Sequence, residues 1–166
     1  MRNNTIYTLE KDLKKNWHES NVYPNVGEVK VAYKLKEELQ SRPVINSIED
    51  AYGILHEVYD RDTIGMQEQF IVLYLNRNNK LIGSYAGFFG GITSTVVDVK
   101  IIINVALKVM ASGIIVSHNH PSGNMHASDM DNKLNEKIKN AAHMFDIQLL
   151  DHVLVGPEGD YCSILI

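Results

Sequence analysis

Two rhythms of apolar and polar positions alternate along the chain, one of strands and one of helices. The run EQFIVLYLN from Glu68 is apolar on both faces, and KLIGSYAGF follows it across the polar turn Arg77-Asn78-Asn79. The pair reads as a hairpin whose first strand is central in a sheet. In VVDVKIIINVALKVMA, residues Val99, Ile102, Ile103, Ala106, Val109 and Met110 recur at helical spacing, and Gly113 stands where a helix-to-strand turn needs a permissive residue. GIIVSHNH is then a short buried strand. Met130, Leu134, Ile138, Ala142 and Phe145 form the apolar stripe of a helix starting at Ser128, and IQLLDHVLVG and DYCSILI supply two last strands.

Upstream, Pro43 restricts its neighbour, and Ser47 can cap a helix over IEDAYGILHEVYD through Ile48, Ala51, Tyr52 and Leu55. Before it, VGEVKVAYKLK alternates as a strand would, able to pair with a sheet edge or a partner. These signals divide the chain into an N-terminal extension, residues 1–43, and one domain, residues 44–166. Strands interleaved with helices predict a layered α/β domain.

The chain has 166 residues, enough to bury a core without disulfides or a structural metal, so a metal found here is expected to have a working role. Apolar residues make up 45% and charged residues 22%, as in ordinary globular proteins, and no apolar run approaches the ~20 residues of a bilayer span. The opening MRNNTIYTLEKDLKKNW lacks the apolar middle of a secretory signal, and Cys162 is the single cysteine. A cytoplasmic protein away from membranes is therefore expected. Net charge is −4, which disfavours a broad surface for nucleic-acid phosphates. Residues 1–43 carry eight Lys/Arg against six Asp/Glu and the remainder eight against fourteen, so any basic arm is slight.

Chemistry concentrates in SHNHPSGNMHASDMD, residues 117–131. Side chains two apart on a strand share a face, so His118 and His120 can present both imidazoles to one point. Pro121-Ser122-Gly123 turns the chain back, and a helix starting at Ser128 brings Asp131 to that point in its first turn. Two histidines and one carboxylate, with a position left for water, form the pattern of a catalytic zinc. Each residue alone has a plainer reading. Ser128 with Asp131 is also a capping box, and a lone histidine at a strand end is more often buried and hydrogen-bonded. The conjunction in one run favours the metal.

The arrangement H-x-H, seven residues, S-x-x-D, filled by His118, His120, Ser128 and Asp131, resembles the JAMM (JAB1/MPN/Mov34) metalloprotease motif. SHNHPSGN, together with LLDHVLVG at 149–156, resembles the RadC-like branch of that superfamily over roughly residues 44–166. The resemblance implies an MPN/JAB-like domain with a central mixed sheet flanked by helices, and Zn2+ held by His118, His120 and Asp131. It also implies a metal-activated water as nucleophile. Glu68, opening its strand, is the match to the family's general acid/base. Ser128 would steady the oxyanion as a peptide or isopeptide amide bond is hydrolysed. Glu57 and Asp98 are fallback carboxylates, each more simply an exposed helix position and a helix start. The same ligand set also suits Fe2+.

The chain departs from that branch at Asn124, Met125, His126 and Ala127, where relatives carry an acidic residue and prolines. It departs again at VVDVK, where many have His-Pro-Arg-Glu. Longer relatives carry an N-terminal helix-hairpin-helix-like region with no counterpart in residues 1–43, so DNA repair enters by family association only. A peptide or protein substrate is the expected partner, with nucleic acid weakly supported.

Among rivals, an HNH nuclease spreads its histidines over a ββα unit, a cupin needs a nearby glutamate in an all-β chain, and a cytidine-deaminase-like site needs more cysteines. The remaining alternative keeps the fold and the metal in a non-catalytic or DNA-associated accessory module. Of the other singletons, His126 reads as solvated and His143 as favourable charge at a helix end. Asp151-His152 reads as structural before a pair that orients a ligand, and Cys162 as a small buried hydrophobe.

Overall fold

The computed structural model describes residues 41–90 and 96–165. The strand expected over residues 26–36, and all but the end of the 1–43 extension, lie outside the described residues. Helix α1 (Ile48–Val58) precedes β1 (Gln69–Leu75) and β2 (Leu81–Phe89), followed by α2 (Val99–Lys108), β3 (Gly113–Asn119), α3 (Asp129–His143), β4 (Gln148–Val155) and β5 (Tyr161–Ser163). The strands form one sheet in the order β2-β1-β3-β4-β5. Only β3 and β4 run parallel, joined by α3 as a crossover; the other neighbours are antiparallel. The fold is α/β with a mixed five-stranded sheet, as in an MPN/JAB-like domain. Among the described residues no helix is long and apolar enough to cross a membrane.

The two faces of the sheet bury different clusters, and strand alternation assigns each residue to one of them. Phe70, Val72 and Tyr74 of β1 with Ile114 and Val116 of β3 face α2 and α3, meeting Ile102, Ala106, Ile138 and Ala142. Ile71, Leu73 and Leu75 with Ile115 face α1 and its Ala51 and Leu55. Being buried on both faces explains why β1 and β3 read as continuous apolar runs.

The helix starts follow the expected chemistry. Ser47 accepts from the amide of Asp50, whose carboxylate returns to the Ser47 amide in a capping box. Asp98 caps α2 through the Lys100 amide, the plain role foreseen for it.

Two expectations are corrected. The left-handed turn after α2 falls on Met110, at φ 56°, while Gly113 already belongs to β3. A Cβ on Gly113 would stand 2.7 Å from Leu150 Cδ1, so the glycine leaves room for that side chain over the strand. The α3 stripe holds over Leu134, Ile138 and Ala142 but not at its ends: Met130 and Phe145 are exposed, and Asn135 joins the buried face. A polar residue takes an inward position because it has a buried partner.

Candidate metal centre

The site lies where β3 ends on the α3 side of the sheet. His118 continues the parity of Ile114 and Val116, and His120 follows two residues on. Phe70, opposite His118 across the β1–β3 pairing, stacks its ring on the His118 imidazole with centroids 6.4 Å apart. The His120 amide donates to the Val155 carbonyl at 3.0 Å, which prolongs the β3–β4 ladder and fixes the backbone of the second histidine.

Ser128 caps α3 and brings in the carboxylate. Its hydroxyl accepts from the Asp131 amide at 3.2 Å, and Asp131 Oδ2 accepts from the Ser128 amide at 2.7 Å and from the Ser128 hydroxyl at 2.6 Å. The capping box therefore uses Oδ2. Asp131 Oδ1 stands 3.2 Å from His118 Nε2, and Oδ2 is 3.9 Å from His120 Nε2. Cap and site are one arrangement.

His118 Nε2 and His120 Nε2 are 3.0 Å apart. His120 Nδ1 lies 2.6 Å from the Asn124 carbonyl, which can only accept, so Nδ1 carries a proton and Nε2 is the nitrogen turned toward the other two residues. Burial pushes His118 down to about 4, against the opposing pull of Asp131, so the ring is neutral around pH 7. Burial works against ionisation of Asp131 too. His118 and the Ser128 hydrogen bonds outweigh it and hold the carboxyl below its ordinary range. The Nε2 atoms of His118 and His120 and a carboxylate oxygen of Asp131 thus converge.

His118, His120 and Asp131 form a group that could hold a metal ion, their ligand atoms all within 4.8 Å of one another. Two of the separations, 3.0 and 3.2 Å, are close to a tetrahedron's edge, and the third, from His120 Nε2 to the Asp131 carboxylate, is wider at 3.9 Å. For Zn–N bonds of about 2.0–2.1 Å that edge is about 3.3 Å. The residues fit a divalent ion.

Behind His118 lies a buried polar chain. His118 Nδ1 is 2.7 Å from His152 Nε2, and His152 Nδ1 meets Asn135 Oδ1. The Asn135 amide nitrogen donates to the Ile164 carbonyl at 3.4 Å. Burial, with His118 adding to it, pushes His152 down to about 3.

Glu68 is outside the three-residue group. It stands one residue before β1, its carbonyl accepting from the Gly90 amide at 2.9 Å, and the β1–β3 pairing begins only at Phe70 opposite His118. The sheet face opposite the histidines is served by the two residues that flank His118. Ser117 meets Tyr59 through its hydroxyl at 2.7 Å, and Asn119 accepts from the Gln69 amide at 2.6 Å. Asn119 also donates to the carbonyls of Ile64 at 2.6 Å and Gln67 at 3.0 Å. The segment leading into Glu68 is thereby tied to the strand that carries His118.

Comparison with known proteins places this geometry. Residues 45–165 match the family described as the RadC-like JAB domain. The chain belongs to the RadC-like JAB domain family. A UPF0758 protein of Haemophilus ducreyi is 45% identical over 97 residues, which are 58% of this chain and 43% of that protein. One of Flavobacterium johnsoniae is 37% identical over 111 residues, 67% of this chain and 47% of that protein. The matched region spans less than half the length of these relatives.

In this RadC-like domain the other residues singled out from the sequence fall elsewhere. Glu57 is exposed on α1 beside His56, 3.5 Å away, and His126 lies in the loop before α3, outside the metal group. Asp151 accepts from the Ser163 hydroxyl at 2.5 Å and from its neighbour's amide at 2.7 Å, so of the Asp151-His152 pair only the histidine reaches His118. Cys162 is only half-buried, and its thiol, 3.5 Å from the Met125 carbonyl, is pushed up by partial burial and by Asp151. Asn119 and Asn135 escaped the sequence reading. Asn135 had a signal: it lies four residues past Asp131, one turn on along the same helix face.

Proposed function

We propose that the domain is a metal-dependent hydrolase cleaving a peptide or isopeptide amide bond, with Zn2+ as the expected ion and Fe2+ the alternative. The observation that carries this reading is the convergence of His118 Nε2, His120 Nε2 and Asp131 Oδ1, which is electron-rich on every side. When bound, the ion supplies Lewis acidity, lowering the pKa of water toward about 7 and polarising a carbonyl.

The chain's own groups would do the rest. Glu68, one residue before β1, would take a proton as water attacks the amide carbon, then give it to the departing amine nitrogen as the C–N bond breaks. Water and amide become acid and amine, and the carboxylate is restored. The Ser128 hydroxyl has one proton, now given to Asp131 Oδ2; turning it toward a developing oxyanion leaves that oxygen the Ser128 amide as donor. Ser128 thus serves first to orient Asp131.

Elemental analysis tests the metal: the purified chain should carry about one zinc or iron, the stoichiometry of a three-ligand centre, and His118→Ala should lose it. Equal metal in that variant refutes the centre. Hydrolysis is tested on peptide and isopeptide libraries read by mass spectrometry. Glu68→Gln should keep the metal and lose cleavage. If it cleaves as well as the parent, Glu68 is not the acid/base. Absence of cleavage by the metal-loaded parent would favour an accessory binding module.

A further inference from the structure

We propose that His152 and Asn135 are positioning residues that hold His118 in the one tautomer able to ligate through Nε2, by a hydrogen-bond chain anchored on the Ile164 carbonyl. The proposal rests on the reading of His118, His120 and Asp131 as a metal centre.

The direction of the chain follows from its far end. The Ile164 carbonyl can only accept, so the Asn135 amide turns its nitrogen toward it at 3.4 Å. The Asn135 oxygen is then the atom facing His152 Nδ1, and an oxygen there requires an N–H. A neutral imidazole has one proton, so His152 Nε2 carries a lone pair. That lone pair is 2.7 Å from His118 Nδ1, which must supply the N–H between them. His118 Nε2 is left bare, toward His120 and Asp131. Reversing the chain would set the Asn135 oxygen against the Ile164 oxygen.

Burial makes these assignments binding. His152 is 0% exposed, His118 4% and Asn135 5%, so water cannot substitute for a missing partner. Phe70 closes the remaining side, its ring 5.8 Å from that of His152. Metal-ligating histidines usually donate their second N–H to a carboxylate or carbonyl. Here the acceptor is a neutral ring, which orients His118 without placing negative charge behind it. The ligand remains an ordinary imidazole, and the ion's charge is not offset from that side.

The test uses the full chain and zinc. His152→Phe keeps a ring but offers no acceptor, whereas His152→Gln brings its amide oxygen to about the place of Nε2. Zinc affinity, measured by competition with a chromophoric chelator, should fall about 10–100-fold in His152→Phe. His152→Gln should recover most of that loss, though both replace the same buried ring. Urea unfolding in chelator separates this from general destabilisation. Heteronuclear NMR of the ring nitrogens in the zinc-loaded parent gives a readout that needs no variant: protons should sit on Nδ1 of both His118 and His152. A proton on His152 Nε2 overturns the proposal, as does parental zinc affinity in His152→Phe, or an equal loss in both variants. If the parent itself takes up no zinc, the metal centre falls as well; if the parent binds and His152→Phe binds alike, only the positioning role falls.

Discussion

Replacing Asn119 by alanine should loosen the segment that leads into Glu68 while sparing the metal ligands. Asn119 is 0% exposed and makes three hydrogen bonds to that segment, at 2.6, 2.6 and 3.0 Å. A hydrogen bond contributes about 1 kcal/mol net, so the three amount to about 3 kcal/mol, and a stranded buried group can add about 1–3 kcal/mol. Gln69 limits the damage, because its side chain still bonds the Asp60 backbone at 3.0 Å and the Thr63 hydroxyl at 3.1 Å. The expected loss is about 4–6 kcal/mol by these hydrogen-bond magnitudes, a large part of the 5–15 kcal/mol that holds a typical domain.

Urea unfolding of the chelator-treated variant measures the loss, amide exchange at Met66 and Gln69 should quicken, and zinc affinity should stay close to the parent's. Cleavage, where a substrate is in hand, should drop because Glu68 is no longer held. A loss below about 1 kcal/mol, the size of one hydrogen bond, would refute the clamp. So would zinc affinity falling in step with stability, since that would mean the two sheet faces do not act separately.

Ser128→Ala should cost about 0.5–2 kcal/mol by loss of the α3 cap and weaken zinc binding as well, because Asp131 Oδ2 loses its hydroxyl donor; Ser128→Thr should restore both in the same titrations. The metal-free protein should lose stability in mild acid. His118 is depressed from 6.5 to about 4, so between those values the unfolded chain binds a proton that the folded chain refuses. The His118 contribution is full above pH 6.5 and declines as pH falls toward 4, by about 3 kcal/mol at 1.36 kcal/mol per pH unit, and His152, lowered further, adds in the same direction. Urea midpoints measured from pH 8 to pH 4 in chelator check the sign, and a flat profile would refute it.

The elements were legible where local chemistry decides them. Ser47 and Ser128 are capping residues with an acidic partner three positions on, and the runs forming β1 and β3 are apolar on both faces because both faces are covered. The ligand trio was legible because all three lie within fourteen consecutive residues, so strand parity and one turn suffice to bring them together. What depends on contacts distant in sequence was not. Asn135 lies beside the expected apolar stripe and gains a role only when β4 brings His152 against it, and His152 sits 34 residues from the histidine it supports. Met110 adopts the left-handed turn although a glycine stands three residues on, because that glycine is already the first residue of β3.

Asp131 closes the first turn of α3 with one carboxylate oxygen and offers the other to the histidines, so helix and centre cannot be loosened independently. An ion that draws on this carboxylate also anchors the start of a fifteen-residue rod that roofs one side of the sheet. The α1 side hangs instead on Ser117 and Asn119, which reach through the back of the same strand. The sheet therefore works as a partition. Loading or stripping the centre should stiffen or slacken one compartment of the domain and leave the other as it was.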